Sequence, residues 1–327
     1  MAVLGAVLEA AARFVFLFDA PFNPDRLDHA AAWRRAWVRR HDAQTRIFYR
    51  FDAFDPVRGW AVKPGLANVE VFDHDRLSTN SKGIRGPEYS YDKAPGKKRI
   101  LILGDSFTFG DEVSDAQTYP HYLQTLLPDS EFINLGVHGY GHDQMLLYLE
   151  EEGLRYHPDL VILGFIDADM ARNLLDFRDY AKPRFELANG RLRLVNEPVP
   201  SPESELRREP FRSKFLDLLG LLRHAVALRP SKRREDAERI TEAILDRLED
   251  DVKRSGARLL LVHLPDRAGP PLPESAFFDR YCRARGLSCL DQLHAGSRLV
   301  FQRGGHWDAV GHRMIAEGIR DHLLRQR

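Results

Sequence analysis

The chain has 327 residues, with 48 Lys plus Arg against 48 Asp plus Glu, 43% hydrophobic and 29% charged residues. This composition excludes a collagen-like, low-complexity or largely disordered chain. It also shows no basic excess of the kind a nucleic-acid binder carries, so no nucleic-acid partner is expected. The clusters Arg34–Arg40 and Arg229–Arg234 read as solvated helix faces. Two cysteines, Cys282 and Cys289, exclude a disulfide scaffold and a four-thiolate zinc site; lying seven apart across a helix end and Gly286 they could form a single bridge, but two unrelated free thiols are expected.

In chain order, Val3, Leu4, Val7, Leu8, Ala11, Val15 and Phe18 form one helical stripe with Glu9 and Arg13 opposite. The stretch falls short of the roughly 18 apolar residues of a spanning helix. It also lacks the basic leader and small-residue cleavage site of a signal peptide. An amphipathic helix docked on the body is expected, with peripheral membrane contact through residues 3–18 as the alternative. A helix near 26–40 and an aromatic, Gly- and Pro-punctuated stretch complete an N-terminal segment, residues 1–95, expected to pack on the core.

From Lys97 the texture changes. KRILILG, EFINLG, PDLVILGF, ARLLLVHLP and the weaker GLSCLD are short apolar runs, and amphipathic stretches separate them. Strands that are apolar on both faces, alternating with helices, predict a mostly parallel sheet covered on both sides. The fold class is therefore α/β, doubly wound, over residues 96–327. Residues 176–230 interrupt the alternation. They begin with two alternating runs about Asn189-Gly190, a hairpin signal, and continue into a Leu-rich helix. An insertion at that point is expected to wall or lid a site at the strand carboxyl ends.

Reactive residues in such sheets sit just beyond those carboxyl ends. The first strand runs into Gly104-Asp105-Ser106-Phe107-Thr108-Phe109-Gly110, which puts a serine on a tight turn at a helix start. The second runs into the Gly-rich Asn134-Leu135-Gly136-Val137-His138-Gly139-Tyr140-Gly141, whose backbone N–H groups could face an oxyanion. Near the C-terminus, Gly304-Gly305-His306-Trp307-Asp308 precedes an amphipathic helix, so His306 is placed to act as a general base. His312, six residues on, reads as a structural histidine. The spacing is not that of a helical metal pair, and neither metal nor cofactor is expected.

The set GDSFTFG, NLGVHGYG and GHWDAVGH resembles the SGNH/GDSL hydrolase superfamily. The flanks NSKGIRG, DEVSDAQTYP and PDLVILGF extend the resemblance to its prokaryotic branch. The resemblance implies a three-layer α/β/α, flavodoxin-like fold and hydrolysis of an ester on a small molecule, lipid or glycan. By position it makes Ser106 the nucleophile and His306 the base, with the backbone N–H groups of Ser106 and Gly139 as oxyanion donors.

Two departures accompany it. The family's asparagine after the third strand falls on Asp169 or Ala168, and Asp169 donates only if protonated. The family's aspartate three residues before the histidine is Arg303 here. The acid orienting His306 is then a backbone carbonyl, Asp308, Asp291 or Asp169, with Asp308 the poorest of the carboxylates, and Arg303 is expected to point outward or be paired. An acyltransferase using the same acyl-enzyme, or a non-catalytic binding module on this scaffold, are the competing readings.

Overall fold

The runs of consecutive apolar residues become five strands: β1 Lys98–Gly104, β2 Ser130–Gly136, β3 Leu160–Phe165, β4 Arg258–His263 and β5 Ser288–Asp291. This arrangement comes from a computed structural model that describes residues 2–17, 29–44, 51–72, 74–227, 230–268 and 275–326. The strands lie in the order β5-β4-β3-β1-β2, and every neighbouring pair is parallel. In the central register Leu101 faces Ile133 on one side and Val161 on the other. All of β3, and all of β1 after Lys98, is buried, as a sheet covered on both faces requires.

On one face Ile100, Ile102, Phe132, Ile162 and Leu260 pack with Leu123, Trp307, Ile315 and Ile319 of the C-terminal half and the helix Tyr119–Leu126. Each such aliphatic side chain contributes about 1.5–3 kcal/mol on burial. The helix His142–Glu151 contacts β1. The sheet with its flanking helices forms three layers, α/β/α. From β1 the chain goes to β2 on one side, then crosses to β3 on the other. The crevice at the carboxyl ends of β1 and β3 is therefore the topological switch point, where such folds bind ligands.

Contacts divide the chain into two units: Met1–Trp60 with Leu174–Ala237, and Ala61–Asn173 with Glu238–Arg327. The N-terminal division thus falls at residue 60, not 95, and the 176–230 insertion groups with the N-terminal residues rather than with the sheet. Residues 61–95 belong to the sheet unit because Arg85 is buried in it. Its guanidinium donates to the carbonyls of Phe109 (3.1 Å), Gly110 (2.6 Å) and Val113 (2.7 Å) and pairs with Asp115 at 2.8 Å.

In the first unit the hairpin Arg184–Ala188/Arg191–Val195 turns at Asn189 and Gly190, both at positive φ. The N-terminal helix Ala2–Val15 meets the helix Lys214–Ala227 through its polar side. Glu9 accepts from Ser213 Oγ (2.9 Å) and the N–H groups of Lys214 and Phe215 (both 3.0 Å), while Arg13 donates to the carbonyls of Pro210 and Arg212. The N–H groups of that helix start hold the Glu9 carboxyl down to about 2. Val3, Leu4, Val7, Leu8 and Phe14 are exposed. The apolar stripe expected to dock therefore faces outward; Phe18 lies outside the described residues.

Two further expectations are corrected. Arg34 is not on a solvated face: it is largely buried, ion-paired with Glu205 and set 4.4 Å over the Phe177 ring. Arg229 lies outside the described residues. Cys282 and Cys289 are bonded to each other, not free. Gly286 ends the helix Ala276–Arg285 at φ 62°, and this left-handed turn brings β5 back within 6.3 Å, Cα to Cα, of Cys282. Among the described residues no helix is long and apolar enough to cross a membrane.

Candidate active site

β1 ends at Gly104 and a single helical turn, Ser106–Phe109, follows. Asp105 caps it, its carboxylate accepting from Phe107 N–H at 3.0 Å. As the first helical residue, Ser106 has a backbone N–H without an acceptor inside the helix. Gly110 closes the turn at φ 90°, where a Cβ would lie 2.4 Å from Thr118. The turn is bolted to the neighbouring strand, since Asn134 Nδ2 donates to Thr108 O at 3.0 Å. Ser106 is 6% exposed, close to the surface but not in it.

The histidine arrives on the loop before the helix Ala309–Arg325. Trp307 anchors that loop: it is fully buried and donates its indole N–H to Pro265 O at 2.9 Å. Asp308 N–H donates to Val300 O, and the Asp308 side chain caps the helix by accepting from Gly311 N–H at 2.8 Å. His306 Nε2 then lies 2.8 Å from Ser106 Oγ, and the His306 ring stands 4.9 Å from the Phe107 ring, centre to centre.

The other ring nitrogen, Nδ1, faces Glu112 Oε2 at 3.1 Å. Glu112 also accepts from Gly304 N–H (2.7 Å) and His306 N–H (3.1 Å), and its carbonyl accepts from Gln302 Nε2. Its backbone sits at φ 62°, unusual for a residue with a side chain, and such outliers gather at functional sites. Gly304 makes the contact feasible, because a Cβ there would come within 2.7 Å of the Glu112 carboxylate. Glu112 thus lies where the sequence offered Asp308, Asp291, Asp169 or a carbonyl. Asp308 is occupied as a helix cap, and Asp291 caps Leu293 N–H at an exposed position. Arg303 is exposed.

Asp169 follows β3 on the short helix Asp167–Arg172 and is fully buried against Arg172. In that pair it is an acceptor, not the oxyanion donor expected of it. Arg172 binds three loops together, donating to Asp105 Oδ2 (2.9 Å) and Tyr140 O (3.0 Å) as well as to Asp169. Its single charge is shared between the Asp169 and Asp105 carboxylates, and Asp105 Oδ2 lies 3.3 Å from Ser106 Oγ. Gly139 occupies a turn after β2 at φ 76°, closed by Tyr140 N–H to Val137 O. His312 is fully buried, accepts from Tyr119 N–H at Nδ1, and is held down to about 3 by burial. Among the described residues no cluster of His, Cys, Asp or Glu is arranged to hold a metal ion.

Glu112 and Arg172 were the residues that sequence reasoning missed. A signal for Glu112 existed, an acidic pair directly after GDSFTFG combined with two glycines directly before His306 and no acid there, but neither half points to the other alone. Arg172 carried no such signal.

No family model matches the chain, and no curated protein matches it. Among solved structures it is similar to a GDSL-like lipase from Bacteroides thetaiotaomicron at 13% identity and TM-score 0.43, covering 72% of this chain and 92% of that one. It is also similar to a psychrotrophic esterase from a Pseudoalteromonas species (14%, TM-score 0.41, 70% and 98% covered). A third likeness is to an acetylxylan esterase from Geobacillus stearothermophilus (14%, TM-score 0.42, 71% and 96% covered). These likenesses are of fold: a parallel sheet with helices on both faces, in which GDSFTFG follows the carboxyl end of β1, NLGVHGYG that of β2, and His306 of GHWDAVGH reaches Ser106.

Proposed function

We propose that the protein is a serine esterase or deacylase that works through an acyl-enzyme on Ser106. The supporting observation is the unbroken line from Ser106 Oγ through His306 Nε2 and Nδ1 to Glu112, at 2.8 and 3.1 Å. In this reading Glu112 holds the proton on Nδ1, which leaves Nε2 free to take the proton of Ser106. Ser106 Oγ attacks the ester carbonyl, His306 returns the proton to the leaving alcohol, and water then releases the acid by the same route. The backbone N–H groups of Ser106 and Gly139 are the oxyanion donors.

In this reading Arg172 positions the nucleophile's turn by tying Asp105 to the Tyr140 carbonyl and to Asp169. The substrate is an ester of a small molecule, lipid or glycan. Hydrolysis of nitrophenyl acetate tests the reading: Ser106→Ala and His306→Ala are expected to fall to background while remaining folded. Full activity in Ser106→Ala would refute it.

We also propose peripheral contact with a lipid surface through residues 3–18. Two features support it. The outward side chains of Val3, Leu4, Val7, Leu8 and Phe14 are apolar, and both charges of the helix are engaged with the protein.

A further inference from the structure

We propose that Asp111 is a further catalytic residue, holding the attacking oxygen of the second half-reaction, a water or an acceptor hydroxyl, against His306. This rests on the acyl-enzyme reading above.

The two ring nitrogens of His306 face different partners. Nδ1 is taken by Glu112, so Nε2 alone faces the reacting atoms. Two oxygens lie off Nε2: Ser106 Oγ at 2.8 Å and Asp111 Oδ2 at 3.9 Å. Once Ser106 is acylated its oxygen has no proton to give, and a new hydroxyl must come within about 3 Å of Nε2 to be deprotonated. An oxygen at that distance from Nε2 can also lie within hydrogen-bond reach of a carboxyl oxygen 3.9 Å away.

Asp111 is built to stay in that position. Its N–H donates to Ser106 O at 3.0 Å, and Arg85 fixes the loop on either side through the carbonyls of Gly110 and Val113. The residue is 8% exposed, and its Oδ1 is buried without a hydrogen-bond partner. A carboxyl buried in this way is costly as a purely structural group, and such atoms call for a functional explanation. Burial also pushes the Asp111 carboxyl up, toward a form that can donate to an incoming oxygen as well as accept from it.

The step balances without any further reactant. The held oxygen bonds to the acyl carbon and its proton passes to Nε2. The bond between that carbon and Ser106 Oγ breaks, and the proton moves from Nε2 to Oγ. Water leaves as part of a carboxylic acid, an alcohol as part of a new ester.

Nitrophenyl acetate separates the two halves, because nitrophenolate departs without needing a proton. Asp111→Ala is expected to release a burst of one nitrophenolate per protein at the wild-type rate. Its steady state is expected to be slower by about tenfold to a hundredfold, with acetyl-Ser106 accumulating in the intact mass. Asp111→Asn, which keeps a donor and an acceptor, is expected to recover part of the loss. An unchanged steady state, or both phases slowed by one common factor in both variants, would overturn the proposal. Wild type that turns over with no acetyl-Ser106, and keeps its activity in Ser106→Ala, would instead overturn the acyl-enzyme reading, and this proposal with it.

Discussion

At the scale of residues, the arrangement divides the work of the carboxylates by what else each one touches. Glu112 meets His306 and both N–H groups of its loop, whereas Asp308 spends its carboxylate on a helix start. Glu112→Gln is therefore expected to lower kcat by about 10²–10⁴, since an amide no longer fixes the tautomer of the imidazole. Asp308→Asn, which still caps the helix, should change activity little. Parallel measurement of the two variants on nitrophenyl acetate checks the assignment, and the reverse ranking would reassign the acid to Asp308. The approach of His306 to Ser106 was legible because each sits in a short motif of its own. The contact of Glu112 with His306 was not, because its partners lie nearly two hundred residues away in the chain.

At the scale of elements, the loop carrying Asp111 and Glu112 owes its shape to Arg85, and the histidine loop owes its closeness to Gly304. Gly304→Ala adds a Cβ within 2.7 Å of the Glu112 carboxylate, although the position itself is exposed. The expected result is a loss of about tenfold to a hundredfold in kcat with little change in thermal midpoint. Equal kcat in the variant would show that the loop adjusts freely. The N-terminal helix offers a second test. Vesicles containing anionic lipid should co-sediment the protein, and Leu4→Ser with Val7→Ser should weaken that binding without altering esterase activity. Binding unchanged by both substitutions would argue against the lipid contact. The sequence pattern gave the apolar stripe of this helix but not its direction, because periodicity finds a face without saying what covers it. Here the partners of Glu9 and Arg13 decided which side turned inward.

Over the whole molecule, the parallel sheet was readable because its strands are continuous apolar runs that only a covered sheet can bury. The grouping of residues 1–60 with 174–237 was not readable, since no local pattern announces which distant segments pack together. The disulfide was readable only as a possibility of spacing, because its closure depends on the left-handed turn at Gly286. Stability carries a further signature of packing. His312 is held neutral by burial to about 3, against 6.5 for a free imidazole, so between those values the unfolded chain binds a proton that the folded chain refuses. Its contribution to stability is present above about pH 6.5 and is lost as pH falls toward 3. Carboxyls that desolvation pushes up, the half-buried Glu150 among them at about 7, act in the opposite direction, so the informative quantity is a difference. Between pH 7.5 and 5 the urea midpoint of His312→Gln should fall less than that of the wild type. Equal falls would mean that His312 takes up a proton in the folded state.

On the proposed function, Ser106 is a nucleophile activated by His306. The most direct measurement is covalent labelling with a serine-reactive fluorophosphonate, followed by mass mapping of the adduct. The account predicts one adduct per chain, on Ser106, formed rapidly in the wild type and slowed severely in His306→Ala. No adduct on the folded wild-type protein, or an adduct at another residue with Ser106 unmodified, would contradict it.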